Sequence, residues 1–172
     1  MMIGLRKGTV QVVPHQPRWH DLFEQERRVL HEHIGPHVLD IQHVGSTSVP
    51  GLDAKPIIDI AVAVASLAVM ADCRRQLVRL GYIDRGDAGS QGGLLFVRER
   101  APEVRTHHLH IVAIDDPQWR NYLAVRDTLR ADDLLRVGYA ELKKSLQVQF
   151  AHDSRAYTEA KTDFIRRVLS GG

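Results

Sequence analysis

One segment, Asp40–Val64, restricts the possible folds of this chain more than any other. Val38–Val44 alternates as a strand does, with Ile41 set against Gln42 and His43. Gly45-Ser46-Thr47-Ser48 then reads as a tight turn. After a connector, Ile57–Val64 is a near-continuous apolar run rich in β-branched residues, the pattern of a strand buried on both faces. A single carboxylate, Asp59, interrupts that run. An acid in such a strand is costly unless a metal ion or a base matches it. A Gly-Ser turn offers backbone N–H groups and hydroxyls to an anion. Together they predict a phosphate cradle facing a metal ligand. An ordinary strand–turn, and an ion pair of Asp59 with Lys55 or an arginine, are the alternatives.

The remainder of the chain sets the class. At 172 residues it fits one domain with a substantial core. Hydrophobic content of 44% and charged content of 26% are those of a soluble globular protein. A formal charge of +2, with basic residues scattered among acids, gives no platform for nucleic acid, which is not an expected partner. The lone Cys73 excludes an intramolecular disulfide and any Cys-rich zinc site. No apolar run approaches the roughly 20 residues of a membrane span, and the first residues do not resemble a signal peptide. A cytoplasmic location without membrane attachment is therefore expected.

Periodicity predicts the elements. Thr9–Val13 reads as a short strand. Pro17 opens a helix carrying Trp19, Leu22, Phe23, Leu30 and Ile34, which Gly35-Pro36 ends. Leu67–Leu80 is helical, with Gly81 at its C-terminus, and Tyr82-Ile83 begins a strand. Asp87–Gly93 is a Gly/Ser-rich loop, expected to be mobile. Leu94–Arg98 and Thr106–Ile114 are expected as adjacent antiparallel strands. Asp116-Pro117 starts a helix, Asp132 or Asp133 caps a second, and Ser154 caps a third whose one side carries Tyr157, Lys161, Phe164, Ile165 and Val168. The expected fold is α/β (or α+β) in a single domain, 1–172. A mixed sheet of four to six strands fills about 1–115, and helices fill 116–172.

The motif His-Val-Gly-Ser-Thr-Ser-Val-Pro-Gly-Leu, followed by Ala-Lys-Pro-Ile-Ile-Asp-Ile, resembles the GrpB family. More broadly, a Gly-Ser turn separated by twelve residues from a strand acid resembles the nucleotidyltransferase superfamily. The likeness continues through His107-His108-Leu109-His110, Arg126-Asp127, Tyr139 with Leu142-Lys143, and Tyr157 with Lys161. It implies a nucleotidyltransferase-like core in which Gly45 admits a phosphate and Ser46 donates to it. Asp59 would hold a divalent metal, magnesium first, with manganese or zinc as alternatives. The superfamily's second strand acid is absent: position 61, on the same strand face as Asp59, is Ala61.

Further candidates follow. His108 and His110 share one strand face and, by the resemblance, lie near Asp59, with His43 approaching from the neighbouring strand. These imidazoles could ligate a transition metal or act as acid–base groups. Thr47, Ser48, Lys55, Arg126 and Arg130 are candidates for receiving phosphates, while Arg98 and Arg100 read rather as solvated surface. The expected function is binding of a nucleotide or other phosphorylated small molecule, with metal-dependent nucleotidyl transfer from an NTP. The alternatives are a non-catalytic module that has lost the metal pair and a His/Asp metal-dependent phosphoester hydrolase.

Overall fold

The structure, a computed structural model, describes residues 3–87 and 93–171. Among these residues six strands form one mixed sheet: β1 (Leu5–Arg6), β2 (Val38–Val44), β3 (Ile58–Val64), β4 (Tyr82–Asp84), β5 (Leu94–Ala101) and β6 (Val104–Ala113). The path runs β2-β3-β6-β5-β4, with β1 paired to the start of β6. The β3–β6 pair is parallel and the others are antiparallel. α1 (Arg18–Ile34) and α2 (Met70–Arg79) cover one face. The C-terminal third supplies α3 (Pro117–Ala131), α4 (Asp133–Gln149), α5 (Ser154–Ala160) and α6 (Thr162–Ser170). No helix among the described residues is long and apolar enough to cross a membrane.

The period of two in β3 organises both layers. Ile58, Ile60, Val62 and Val64 join Trp19, Phe23, Leu30, Ile34, Leu109 and Ile111 in the main core beneath α1 and α2. Ala61 and Ala63 turn the other way, against Val44, Val112 and Trp119 of α3. Asp59 belongs to this second face, at the end where β3 begins. Beyond it, the Gly45–Leu52 connector and the C-terminal helices share a separate apolar cluster of Val49, Leu52, Leu129, Tyr139, Phe164 and Val168. The second face is therefore apolar under α3 and polar where the helices part from the sheet.

Two ends differ from the sequence reading. Thr9–Val13 is not a strand, because its backbone groups go to different elements. The Val10 N–H donates to the Ala151 carbonyl, the Val12 N–H to the Gln147 side chain, and Val13 bridges Ala54. The sheet strand is instead Leu5–Arg6, pairing with Arg105 and Val104. The third C-terminal helix is capped by Asp153, whose carboxylate accepts from the Ala156 N–H at 2.9 Å, and it breaks at Lys161 into two short helices. The loop expected to be mobile falls largely outside the described residues.

Arg98 is only partly solvated, and its partner is not a local one. It donates to the buried Glu26 at 2.7 Å, and the Tyr82 hydroxyl donates to the same carboxylate at 2.9 Å. This pairing explains an acid on the buried stripe of α1 and ties α1 to β4 and β5.

Gly93, just before β5, has φ +78°, and a Cβ there would lie 2.2 Å from the Ile111 carbonyl oxygen of β6. Gly93→Ala is expected to cost about 2 kcal/mol or more. Thermal unfolding should show a Tm lower by several degrees; an unchanged Tm would contradict this close backbone approach.

Candidate functional site

Asp59, His108 and His110 meet because β3 and β6 run parallel. Asp59 sits beside His108 and Ala61 beside His110, so all these side chains project to one face. His108 Nδ1 lies 3.2 Å and His110 Nε2 3.6 Å from the same oxygen, Asp59 Oδ1. Donor atoms, one from each of the three residues, lie within 4.8 Å of one another, an arrangement able to hold one cation. Burial opposes charge on Asp59, but hydrogen bonds and attraction from the two histidines outweigh it and hold its carboxyl well below the ordinary range. Burial holds His108 below the usual imidazole range against the pull of Asp59. Near neutral pH the Asp59–His108 pair is a carboxylate accepting from a neutral ring. The second ring nitrogen of His108, Nε2, is buried without a hydrogen-bond partner among the described residues.

The turn after β2 forms the adjoining wall. Gly45 adopts φ +68°, and a Cβ there would come within 2.6 Å of Asp59 Oδ2. Glycine is required both for the turn and for the close approach of Asp59. Residues 46–48 make one 3-10 turn, with the Ser48 hydroxyl donating to the Gly45 carbonyl at 2.5 Å.

A cavity of about 370 Å³ opens between this wall and the C-terminal helices. Gly45, Ser46 and Thr47 border it, as do Asp59, His108 and His110. Lys55, Lys143, Lys161 and Arg126 border it as well. Lys143 is 1% exposed and donates to Ser46 Oγ at 3.0 Å and to the Asp53 carbonyl. Its ammonium also lies 4.6 Å from the Tyr139 ring centre. Lys55 and Lys161 both face the Tyr157 ring, at 5.2 and 4.5 Å. Neither has a carboxylate partner among the described residues. Burial, then the neighbouring Lys161, pushes Lys143 down to about 6; burial, then Lys55, pushes Lys161 down to about 7. Burial also lowers Lys55. Among the described residues the walls hold three lysines, Arg126 and a single carboxylate, Asp59; Arg126 is paired with Asp127, while none of the three lysines forms an ion pair.

Some residues marked in the sequence stand elsewhere. His43 lies on the opposite sheet face, since it is one residue out of phase with Val44, the neighbour of Asp59. There it stacks on Phe23 at 4.8 Å and bonds Thr47 Oγ1 at 3.0 Å, supporting the turn from below. It is not in the Asp59 group. Ser48 does not border the cavity, because its hydroxyl and carbonyl are both engaged. Arg130 donates twice to that carbonyl, at 3.0 and 2.7 Å, and so clamps the turn to α3. Arg126 borders the cavity while bonding Gln42 Oε1 at 2.7 Å, the His43 carbonyl at 3.1 Å and Asp127 at 2.7 Å. Lys55 forms no ion pair with Asp59. Lys143, Lys161, Tyr139 and Tyr157 were not among the sequence-based site candidates. The signal was present: Lys143 lies at helical spacing between Tyr139 and Leu146, and Lys161 between Tyr157 and Phe164, so each lysine interrupts an apolar stripe.

The depressed lysines make a definite statement about the ligand-free protein. Between about pH 6 and the ordinary lysine value of 10.5, the unfolded chain holds protons that folded Lys143 has lost. Stability contributed by this site therefore rises with pH across that window and falls as the pH drops toward 6. Lys143→Met should flatten the rise, measured by urea unfolding at intervals from pH 6 to 9. An unchanged slope would place the Lys143 ammonium in solvent.

With this geometry in view, the comparisons with known proteins are consistent. The family model "GrpB protein" matches residues 9–170. The chain is 36% identical to "Glutamate-rich protein GrpB" of Alkalihalophilus pseudofirmus, over 98% of this chain and 99% of that one. The crystal structure of conserved protein GrpB from Enterococcus faecalis superposes with a TM-score of 0.85 at 33% identity, covering 94% of this chain and 96% of that one. The Cid1 poly(U) polymerase with MgGTP bound gives 0.52 at 13% identity, over 79% of this chain and 44% of that one. That last likeness is one of fold, and it assigns the core to the nucleotidyltransferase-like α/β class. The chain belongs to the GrpB family.

Proposed function

We propose that this protein binds a nucleotide or other phosphorylated small molecule in the cavity between the Gly45–Thr47 turn and the C-terminal helices, together with a divalent metal. The observation that carries this reading is the set of lysines without internal counterions. Lys55, Lys143 and Lys161 are turned into a concave site where desolvation is costly unless negative charge arrives. A phosphate chain supplies that charge, and lysines serve such ligands as point charges. Gly45 lets the turn close onto the Asp59 carboxylate without a Cβ between them, which sets the turn beside the metal-holding residues. Tyr122, which packs 5.2 Å from the His110 ring, also borders the cavity.

Asp59, His108 and His110 would hold the metal, which when bound supplies Lewis-acid polarisation of phosphate oxygens. Asp59 remains ionised as the anionic ligand. The two histidines orient it from β6, and Ser46, held by Lys143, sets the position of the turn. In a transferase, the lysines would neutralise the charge that develops on a departing pyrophosphate. Ala61 favours a second reading, a binding module without turnover. The face where another acid would stand is closed by Trp119, and Ala61 is fully buried.

Thermal unfolding scans with nucleoside triphosphates, diphosphates and inorganic polyphosphate, each with and without a divalent metal, test the proposal. A true ligand at about 100 times its Kd should raise Tm by roughly 5–10 °C. Lys161→Met should weaken binding by about tenfold or more, since it removes one charge-assisted contact. No shift with any phosphorylated compound would contradict the reading. Once a ligand is known, release of pyrophosphate separates the transferase from the module.

A further inference from the structure

We infer that Asp59, His108 and His110 form a site for a single first-row transition-metal ion of the zinc type, and that the protein discriminates against magnesium. The inference deepens the function proposed above, although the ion's binding can be tested without any phosphorylated ligand.

Three observations carry it. The first is the donor set. Two of the three donors are imidazole nitrogens and one is a carboxylate oxygen. Magnesium requires a near-octahedral shell of oxygens and keeps much of its water, whereas imidazole suits zinc, iron and cobalt. Three protein ligands with a position left open is the form of a zinc site that also engages a substrate.

The second is spacing. Donors sharing one tetrahedral ion at ~2.0–2.1 Å lie ~3.3–3.4 Å from each other. Asp59 Oδ1 is 3.2 Å from one histidine nitrogen and 3.6 Å from the other, on either side of that value. Both histidines come from one strand, and Asp59 comes from its direct neighbour, so the backbone need not move to receive the ion.

The third is the lack of a second carboxylate to hold a second ion. A paired-magnesium arrangement needs another acid on the Asp59 face of β3. That position is Ala61, packed with Val44, Val112 and Trp119. Among the described residues bordering the cavity, Asp59 is the only carboxylate.

The test uses tag-free protein stripped with a chelator and titrated with Zn²⁺, Co²⁺ and Mg²⁺ separately, with no nucleotide present. Calorimetry should give one Zn²⁺ per chain, bound at least ~100-fold more tightly than Mg²⁺. Co²⁺ should develop the intense visible absorption of low-coordinate cobalt with nitrogen ligands. His110→Ala and Asp59→Asn should each weaken Zn²⁺ binding by ~10–100-fold or more and abolish the cobalt spectrum, with circular dichroism reporting whether each variant folds. His110 is the informative variant if Asp59→Asn fails to fold. Equal affinity for Zn²⁺ and Mg²⁺, two ions per chain, or a cobalt spectrum unchanged in His110→Ala would overturn the inference. The last result would assign the metal to surface histidines. Zinc binding as expected, combined with no response to any phosphorylated compound, would retain the metal site and remove the function proposed above.

Discussion

The arrangement depends on how one carboxylate is carried by a strand whose other residues are all buried. Asp59 is tolerated in β3 because both its neighbours are built for it. On one side β6 brings His108 and His110 to the same face, and on the other β2 ends at Gly45, whose missing side chain leaves room for the carboxylate. A side chain at residue 45 would displace Asp59, and a one-residue register slip in β6 would carry both histidines to the opposite face. The sheet topology, with β3 and β6 parallel, thus serves the site directly.

The C-terminal helices add the opposite charge. Their apolar stripes pack on the connector through Leu129, Tyr139, Phe164 and Val168, and within those stripes Lys143 and Lys161 are held against tyrosine rings rather than carboxylates. Burial without ion pairing is an unstable way to keep a lysine charged, so the amines lose affinity for protons. The same site therefore holds an ionised acid with two imidazoles on the sheet side and electrically hungry amines on the helical side. A ligand with a phosphate chain and a metal matches both halves, which is why the two are proposed together.

Much of this layout was legible in the residues. The β2–turn–β3 segment, the shared face of Asp59, His108 and His110, and the antiparallel β5–β6 pair follow from the period of strands and from the family likeness. What was less legible depends on tertiary contact. Arg130 reads as a phosphate ligand by its position near Arg126, but only the fold shows it clamped to the Ser48 carbonyl. His43 lies two residues from Gly45, yet strand phase takes it to the far face. Arg98 finds Glu26 across 72 positions of sequence, a pairing no local pattern contains. Thr9–Val13 has strand composition, but its hydrogen bonds are taken by Gln147 of α4, by Ala151 beyond it and by Ala54, and the sheet instead recruits Leu5–Arg6. The buried lysines are the instructive case: a charge at an apolar position of an amphipathic helix is visible in sequence, and it was the cavity that gave it meaning.

The central claim is that phosphates complete the charge balance of Lys143 and Lys161. Titration calorimetry with a nucleoside triphosphate at pH 8, repeated in buffers of different ionisation enthalpy, measures this directly. Amines that are neutral in the free protein must regain protons as the phosphates arrive, so the account predicts saturable binding with net uptake of roughly one to two protons per ligand. Binding with no proton uptake would mean that the lysines do not face the ligand, and the account would be wrong.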